Sequence, residues 1–397
     1  MKITKIDLLY SQPVEDDWRP IFCRIYTDEG LYGDGESALS YGGISQAAFG
    51  MLRDMAGIII GMNPLDHELI WNRLYRECFW GVNGGPAVYA AISCFDIAVW
   101  DIKGKAYGQP VYRLLGGKFR DSLRAYASQL QNGFPEDRKC CGPLEDYRKV
   151  TQMAVDKGFD AVKLNFTTYR EDGSRTPNTE QNPYLHPRFL RTIVDRVRTV
   201  RETLGPDGDI ILENHCYTSK ESAAQMGNAV KQFGIMYFEE PVTPQADLLS
   251  YVHRETGLRI ASGERMFSLQ QFRDRLRQEA IQVIQPDLGN CGGFTEVKKI
   301  CDMADSFQAA VQIHITGSPL VSTASLHMEA AIPGFIIHEY NVNTMGPKMR
   351  ALAKLDTQPV NGAFAVPETP GIGNELSDRA FETCEIVTVD RALNKNW

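Results

Sequence analysis

Three features that would mark a membrane, nucleic-acid-binding or secreted protein are scarce or missing in this sequence of 397 residues. Its longest apolar stretches, such as 56–62, are too short to span a bilayer, and its first residues contain no signal-peptide hydrophobic segment. The 42 Lys and Arg residues are outnumbered by 50 Asp and Glu residues and form no basic cluster with aromatic residues. The nine cysteines include no CxxC pair. We therefore expect a soluble, cytoplasmic protein with reduced cysteines, and neither a membrane nor nucleic acid as a partner.

The first part of the chain has the pattern of a small α+β domain. Segments 2–10, 20–26 and 30–37 have the apolar patterning of strands. From about residue 43 to residue 115, apolar residues recur at helical spacing. The whole chain is longer than one typical domain, so we predict a first domain over residues 1–120.

Beyond residue 121, eight short apolar runs each end in polar residues, and a segment of helix length follows each run. The runs are 123–129, 161–166, 210–215, 236–241, 259–264, 282–287, 310–315 and 336–340. Eight strands alternating with helices predict a TIM-type (β/α) barrel, whose strands share one mouth at their carboxyl ends. The polar ends of the last six runs are spaced 26, 25, 23, 27 and 25 residues apart, as in βα units. We assign the barrel to 121–345, with a long loop at 167–182, and expect the irregular tail 346–397 to return to the first domain.

Three glutamates, Glu213, Glu239 and Glu264, stand at the polar ends of consecutive predicted strands. Carboxylates that converge on one barrel mouth raise one another's pKa unless a cation lies between them. An all-oxygen ligand set suits a hard divalent metal, Mg²⁺ first and Mn²⁺ second. Ordinary solvated rim residues are the alternative, but three in successive units favour a metal site. We predict that these glutamates bind one Mg²⁺ per subunit.

Two histidines flank this predicted metal site. His215 lies two residues after Glu213, and in a strand that spacing places both side chains on the same side. His314 ends the seventh barrel strand, four strands away, and therefore faces His215 across the mouth. Asp287, at the end of the sixth strand, is placed to hydrogen-bond the His314 ring and raise its basicity. A histidine taken alone is more often structural, but one on each side of a metal site suggests an acid and a base.

With these residues in place, the sequence resembles the enolase superfamily and, within it, the mandelate racemase subgroup, close to the galactonate and mannonate dehydratases. The resemblance covers nearly the whole chain and rests on several motifs in order. They are WDIKGK (100–105), LLGG (114–117), AVKLN (161–165), LENH (212–215), FEEP (238–241), SGER (262–265), QPDLGNCGG (285–293) and HEY (338–340). The resemblance implies an α/β fold, a TIM-type (β/α) barrel with an α+β N-terminal capping domain that the C-terminal tail completes. It also implies Mg²⁺ as the cofactor.

Carried over position by position, the resemblance makes the three strand-end glutamates the metal ligands. It makes Asp287 and His314 the family's Asp–His dyad, with His314 as the base. It makes Glu339 the last-strand acid that hydrogen-bonds the substrate carboxylate or enolate oxygen. One departure concerns Glu213, where Asp is usual, because the extra methylene of about 1.5 Å changes the reach of the ligand.

A second departure lies on the second barrel strand and concerns the reaction. Racemases of this group carry Lys-x-Lys there, and the second lysine is a base opposite the histidine. This chain has Lys163 followed by Asn165, which cannot take a proton. With a base on one face only, and His215 available as an acid for a leaving hydroxide, the resemblance implies a dehydratase.

The implied enzyme is a carbon–oxygen lyase, a hydro-lyase, that dehydrates an aldonic or aldaric acid. His314 would remove the proton α to the carboxylate while Mg²⁺ and Glu339, if protonated, stabilise the enediolate. His215 would protonate the departing 3-hydroxyl, and the enol would tautomerise to a 2-keto-3-deoxy acid. A racemase, epimerase or cycloisomerase that acts through the same enolate is the alternative. A non-catalytic binding protein on the same fold would have lost the ionisable rim that this chain keeps.

Specificity is expected from residues around the mouth. The small-molecule sugar acid would meet residues of the second strand and loops of the first domain, which in this family close over the barrel. The candidates are Lys163, Asn165, Trp18, Arg19, Tyr41 and Trp80. Trp80 could equally be a core aromatic residue at the end of a helix. We also expect a homo-oligomer.

Overall fold

The computed structural model describes residues 1–393, apart from the side chains of Asp16 and Trp80. The chain begins with an antiparallel meander of three strands, β1 (Ile3–Ser11), β2 (Ile21–Thr27) and β3 (Tyr32–Ser37). Their apolar residues form one side of a separate core. The meander therefore follows the strand pattern of the sequence.

Helices cover this sheet and complete the N-terminal core. They are α1 (Ser45–Ala56), α2 (His67–Glu77), α3 (Pro86–Tyr107) and the short α4 (Val111–Leu114). Helix α3 is buried on most of its surface and packs directly on β3. Glycine makes this close approach possible, because a Cβ atom at Gly35 would lie only 1.9 Å from the carbonyl oxygen of Cys94.

Eight parallel strands follow and form the barrel, and helical segments separate each strand from the next. They are β4 (Ser122–Ser128), β5 (Ala161–Leu164), β6 (Asp209–Glu213), β7 (Ile235–Glu239), β8 (Ile260–Ser262), β9 (Val283–Ile284), β10 (Ala310–Val311) and β11 (His338–Asn341). Neighbours in the chain pair in that order from β4 to β10, and β11 pairs with β4. A parallel bridge between Val311 and Phe335 joins β10 to the segment before β11 and closes the ring.

The helices of the barrel pack around the strands and bury a large apolar core between the two layers. They are α5 (Leu144–Asp156), α6 (Asn178–Gln181), α7 (Pro187–Leu204), α8 (Lys220–Val230), α9 (Ala246–Thr256), α10 (Leu269–Arg277), α11 (Gly293–Ser306) and α12 (Pro319–Ala330). The predicted long loop contains the short helix α6. The described helices include none with the length and hydropathy of a membrane span.

Strand alternation decides which side chains reach the interior of the barrel. On β6, Ile210 and Leu212 belong to the outer core, whereas Ile211 belongs to a small inner cluster. Glu213 is in phase with Ile211 and so points inward at the carboxyl end. The same alternation places Glu239 of β7 on the inner side.

The C-terminal segment contains regular structure that the sequence pattern did not indicate. It contains α13 (Pro347–Arg350), β12 (Ala363–Ala365), α14 (Asp378–Thr383) and β13 (Cys384–Val389). Strand β13 pairs antiparallel with β1, so the N-terminal sheet has the order β13-β1-β2-β3. The β-branched residues of 386–389 are the signal for β13 that the prediction of an irregular tail overlooked.

Buried carboxylates join the N-terminal region to the barrel. Glu36 of β3 accepts hydrogen bonds from the backbone N–H groups of Ser318 (2.7 Å) and Val321 (3.1 Å), and from the Ser318 hydroxyl (2.6 Å). Asp96 of α3 accepts from the N–H (3.0 Å) and the hydroxyl (2.5 Å) of Thr295. The donors lie at the starts of α12 and α11, where backbone N–H groups lack partners within the helix. The predicted fold class, a (β/α) barrel with an α+β N-terminal domain, is confirmed.

Candidate active site

The three predicted metal ligands lie at one end of the barrel. Glu213 and Glu239 are the last residues of β6 and β7 and are register partners across the sheet. Glu264 lies two residues beyond β8, at the same end. Their side chains are 0%, 1% and 14% exposed, in that order. The structure therefore brings together, away from solvent, the carboxylates that the strand period placed on one rim.

Lys163 of β5 lies inside the barrel among these carboxylates. Its Nζ is 2.5 Å from Glu239, 3.0 Å from Glu339 and 3.3 Å from Glu213. Burial works to lower the pKa of Lys163, but these three carboxylates raise it well above its usual value. In this structure Lys163 is thus a buried counter-ion of three carboxylates, and its contact with substrate stays a prediction.

Lys163 does not satisfy all the buried carboxylates of the mouth. Among the described residues, Glu239 Oε2 and Glu240 Oε1 have no hydrogen-bond partner, and Glu213 Oε2 has no hydrogen bond but lies 3.3 Å from Lys163 Nζ. Burial raises the pKa of Glu213 to about 7 and that of Glu240 to about 8, and the charge of Glu264 adds to both shifts. Unpaired carboxylate oxygens in a buried site are costly unless a cation or a proton compensates them.

The mouth contains more carboxyl groups than cationic side chains. Six carboxyl groups face two permanent cations, Lys163 and Arg265. The carboxyl groups are Glu213, Glu239, Glu240, Glu264, Asp287 and Glu339. Among the described residues no three ligand-type side chains are already grouped around one metal position, and Glu264 contacts Arg265 and His314. The donor chemistry nevertheless fits a hard dication, because the atoms without a hydrogen bond are buried oxygens in a site where carboxyl groups outnumber cationic side chains.

His314 is held between two carboxylates. Its Nδ1 is 2.7 Å from Asp287 Oδ2, and its Nε2 is 3.1 Å from Glu264 Oε2. Asp287 also accepts a hydrogen bond from the Gly289 N–H at 2.8 Å, which fixes the carboxylate. Burial works to lower the pKa of His314, but Glu264 and Asp287 raise it well above its usual value. The predicted Asp–His pair is thus present in the geometry, with Glu264 as an additional partner.

His215 lies on the other side of the mouth, because β6 and β10 are four strands apart in a ring of eight. The strand ends at Glu213, and His215 has a left-handed backbone with φ of 48°. The two-residue strand period is therefore the wrong reason for its position, although His215 Nε2 does lie 3.9 Å from Glu213 Oε2. Its ring nitrogens contact the side-chain amides of Gln129 and Asn165. Burial lowers the pKa of His215 to about 4.

Glu339 of β11 faces the interior and is fully paired. It accepts hydrogen bonds from the Ser128 hydroxyl (2.6 Å) and the Ile315 N–H (3.1 Å), and it pairs with Lys163. Burial works to raise the pKa of Glu339, but Lys163 and His314 lower it overall. This direction opposes the protonated carboxyl group that we attached to its predicted role, and that role stays a prediction.

Residues of the N-terminal region reach the mouth from above. The Ala38 N–H donates to the carbonyl oxygen of Gly289, in the loop after β9. Nearby, the rings of Trp18 and Tyr41 stack with centroids 4.8 Å apart, and Tyr41 covers Trp18, which is only 7% exposed. Arg19 is half-buried, and its backbone N–H donates to Ser40. Of Trp18 and Tyr41, Tyr41 is therefore the more accessible candidate for contact with substrate. The side chain of Trp80, also predicted to bind substrate, lies outside the described residues.

Several residues at the mouth were not predicted from the sequence. Gln129 and Gln131 follow β4 and contact His215 directly or through one another. Glu240, which is buried, forms an ion pair with the exposed Arg265 beside the predicted metal ligands. The last two stand next to strand-end glutamates in the FEEP and SGER motifs, and that position was the signal that could have identified them. Nothing in the spacing of Gln129 or Gln131 distinguishes them from loop residues.

Comparisons with known proteins agree with this fold. The family model described as enolase C-terminal domain-like matches residues 146–380, and the model of the mandelate racemase and muconate lactonizing enzyme N-terminal domain matches residues 15–116. A D-galactonate dehydratase from Pectobacterium atrosepticum is 32% identical over 384 residues, covering 95% of this chain and 93% of the relative. A D-xylonate dehydratase from Haloferax volcanii is 30% identical over 370 residues, covering 93% of this chain and 86% of the relative. The crystal structure of an enolase superfamily member from Salmonella Typhimurium is 41% identical, has a TM-score of 0.94, and matches 98% of this chain and 99% of that chain.

Proposed function

The chain belongs to the mandelate racemase and muconate lactonizing enzyme family of the enolase superfamily, and on that basis we propose that it is a Mg²⁺-dependent dehydratase of a sugar acid. The substrate would be an aldonic or aldaric acid, and the product a 2-keto-3-deoxy acid. Relatives at 30% and 32% identity that carry the names of D-xylonate and D-galactonate dehydratases support this reaction class.

One observation carries the proposal. The mouth has a carboxylate-paired histidine, His314, on one side and a second histidine, His215, on the opposite side. The position of a second base on β5 is occupied by Asn165, which cannot accept a proton, and Lys163 is committed to three carboxylates. A base on one face and an acid on the other suit elimination better than proton exchange between two faces.

Glu213, Glu239 and Glu264 would hold the metal. Mg²⁺ bound there would supply the positive charge that stabilises an enediolate and would compete with His314 for Glu264. Two buried oxygens without a hydrogen bond, Glu213 Oε2 and Glu239 Oε2, support this assignment. Glu240, paired with Arg265, would remain outside the ligand set.

The protein groups move two protons in this mechanism. His314 takes the C2 proton as the C2–H bond breaks, and Asp287 holds the ring and stabilises the resulting imidazolium. The C3–O bond then breaks, and the leaving hydroxyl takes a proton from His215 and departs as water. The enol left behind tautomerises to the ketone. Glu339 stays ionised and holds Lys163 and the backbone of Ile315 in place.

In this structure the pKa shifts of the two histidines are opposite to those that the reaction needs. The carboxylates favour a proton on His314, and burial disfavours one on His215. Withdrawal of Glu264 from His314 lowers the pKa of that ring, and an anionic sugar acid placed beside His215 raises the pKa of the other. Assembly of the complete site is therefore part of the activation of both histidines.

The test is a screen of aldonic and aldaric acids for 2-keto-3-deoxy products, with Mg²⁺ present and D-galactonate and D-xylonate in the set. We expect turnover of at least one acid, and loss of both turnover and C2 exchange with deuterated solvent in His314→Asn. C2 exchange or epimerisation of an acid without any dehydration would instead support the isomerase alternative. Retained exchange in His314→Asn would place the base elsewhere. A homo-oligomer and a cytoplasmic location remain predictions from the sequence.

A further inference from the structure

The end of β3, in the N-terminal region, contacts both barrel loops that carry the predicted Asp–His pair. Asp287 and His314 lie beyond the last residues of β9 and β10, so neither belongs to a regular strand. A single parallel bridge joins the two residues to each other. Their positions therefore depend on what holds the loops that lead into α11 and α12, and residues 36–38 contact both loops.

Glu36 holds the far end of the loop that follows His314. Its Oε1 accepts a hydrogen bond from the Ser318 N–H at 2.7 Å. Its Oε2 accepts from the Val321 N–H at 3.1 Å and from the Ser318 hydroxyl at 2.6 Å. Glu36 is fully buried, and Ser318 is only four residues after His314 in the chain. A residue outside the barrel thus fastens the loop of the predicted base.

The backbone of Ala38 holds the loop that follows Asp287. The Ala38 N–H donates to the carbonyl oxygen of Gly289 at 3.0 Å, and the Gly289 N–H donates to Asp287 Oδ1 at 2.8 Å. The Ala38 carbonyl oxygen lies 3.5 Å from the Thr316 hydroxyl, on the other loop. A single residue of the N-terminal region therefore reaches both loops, and one glycine separates it from the carboxylate that orients His314.

Each of the two loops has a glycine where residues 36–38 pack against it. A Cβ atom at Gly289 would lie 2.9 Å from the Ala38 nitrogen, and one at Gly317 would lie 2.7 Å from Glu36 Oε1. Both distances are too short for a side chain, so only glycine permits this close approach. A side chain at either position would push its loop away from the N-terminal region.

From these contacts we infer that Glu36 is a positioning residue for the base His314, and that the backbone of Ala38 has the same role for Asp287. Removal of the C2 proton requires a correctly aimed His314 ring, and a misplacement of about 1 Å can cost about 100-fold in rate. The hydrogen bonds of Glu36 involve none of the predicted metal ligands. The inference rests on the proposed function for its catalytic meaning, but the position of His314 can be measured without any turnover.

The experiment is Glu36→Gln in the full-length protein with Mg²⁺ present. The single carbonyl oxygen of glutamine can accept from the Ser318 N–H or from the Val321 N–H but not from both, so the loop after His314 is held less firmly. We expect kcat for dehydration and the rate of C2 exchange with deuterated solvent to fall together by about 10- to 100-fold, because both need His314. KM should stay within about threefold of the wild-type value, because the substitution removes no binding contact in the mouth.

Asp96→Asn is the matched control. Asp96 is also a buried carboxylate of the N-terminal region, and it accepts from the N–H and the hydroxyl of Thr295 at the start of α11. It makes no hydrogen bond to the loop after His314 among the described residues. A general weakening of the contact between the two regions would lower the activity of both variants. We expect kcat and C2 exchange of Asp96→Asn to stay within about twofold of the wild-type values.

Gly289→Ala tests the contact on the side of Asp287 and replaces Glu36→Gln if that variant does not fold. It changes no charge and adds one methyl group, which meets the Ala38 nitrogen. The loop after Asp287 must then move away from the N-terminal region. We expect kcat and C2 exchange to fall together by about 10-fold, with KM nearly unchanged.

Crystal structures of the metal-free proteins give a readout that needs no turnover. The His314 ring should be displaced by at least about 0.5 Å in Glu36→Gln and should keep its position in Asp96→Asn. An undisplaced ring in Glu36→Gln, a kcat equal to that of Asp96→Asn, or a change confined to KM would overturn the inference. If the ring is displaced as expected but the wild-type protein dehydrates no sugar acid, the positioning contacts stand and the proposed function fails.

Discussion

Two groups of buried carboxylates in this molecule differ in how their oxygens are satisfied. At the interface between the N-terminal region and the barrel, Glu36 and Asp96 accept hydrogen bonds on both oxygens from the starts of α12 and α11. In the mouth, Glu213 and Glu239 are equally buried, yet each has one oxygen without a hydrogen-bond partner among the described residues. Both groups have raised pKa values, chiefly because of burial.

Burial and a shifted pKa therefore do not separate structure from function in this protein. Glu36 and Asp96, whose oxygens are hydrogen-bonded, stabilise helix starts and hold two regions together. They require no ligand. The carboxylates of the mouth keep oxygens without a hydrogen bond, and Lys163 is shared among them as a counter-ion. Only the second group requires a ligand, and its oxygens are of the kind that Mg²⁺ prefers.

The largest expected effect comes from Glu239→Gln. Turnover should fall by more than about 10⁴-fold, because the enediolate loses several kcal/mol of charge stabilisation when its cation is not held. The unfolding temperature without metal should change little, because Lys163 keeps Glu213 and Glu339 as partners when the charge of Glu239 is removed. Enzyme assays and thermal unfolding without metal measure the two effects.

Glu36→Gln is the matched variant at the interface. It turns an amide nitrogen toward a backbone donor, so unfolding should become easier by about 1–3 kcal/mol. If Glu239→Gln destabilises the protein as much as Glu36→Gln and keeps its activity, the distinction between the two groups is wrong.

The next effect separates the two sides of the mouth itself. His215→Asn should lower dehydration by about 10²–10⁴-fold, the usual worth of a general acid, while some C2 exchange with deuterated solvent remains. Exchange needs only the base His314 and the carboxylate side of the mouth. Parallel product assays and NMR of the C2 position make the measurement. Dehydration at nearly the parent rate would make Tyr217, Tyr126 or a water molecule the candidate acid.

A smaller effect concerns pH and the interface group. Burial raises the pKa of Asp96 to about 7 from an ordinary 3.8. Because the folded-state pKa lies above the unfolded value, the stabilisation from protonated Asp96 is complete below pH 3.8 and is lost as the pH rises toward 7. The loss is about 1.4 kcal/mol per pH unit within that window.

Asp96→Asn carries no charge and should escape this loss. Urea unfolding measures the free energy of unfolding of both proteins at pH 5 and pH 7. The value for the variant minus that for the wild-type protein should increase by up to about 3 kcal/mol from pH 5 to pH 7. Asp302→Asn, an exposed partner of Lys298, is the control and should show little change. An equal stability difference for Asp96→Asn at both pH values would mean that the Thr295 hydrogen bonds keep Asp96 ionised.

The smallest effect tests one cap of the interface. The Ser318 hydroxyl accepts from the Leu320 N–H at 3.1 Å and donates to Glu36. Ser318→Ala should lower the free energy of unfolding by about 1 kcal/mol, as for other N-cap serines. Ser377→Ala, at the cap of the short exposed helix α14, is a matched comparison. A loss above 3 kcal/mol would show that Glu36 depends on this hydroxyl.

The sequence predicted the features that depend on local periodicity. Strand ends of a parallel barrel share one rim, so the spacing alone brought Glu213, Glu239, Glu264 and His314 to the same mouth. The meander and the helical run of the N-terminal region likewise followed from patterns within each segment.

The features that escaped prediction depend on contacts between distant segments. Whether Lys163 meets substrate or carboxylates is decided by how deep its strand register places it. The position of His215 depends on a left-handed turn after Glu213 rather than on strand alternation. The amide contacts of His215 come from Gln129 and Asn165, which lie at the ends of two different strands.

The most direct test of this account is the binding of Mn²⁺, used in place of Mg²⁺, to metal-free protein, followed by electron paramagnetic resonance. We predict one bound Mn²⁺ per chain that Mg²⁺ displaces, an affinity at least about 100-fold weaker in Glu239→Gln, and unchanged binding in Asp96→Asn. Equal affinity in Glu239→Gln and the wild-type protein would contradict the claim that the unsatisfied carboxylates of the mouth hold the metal.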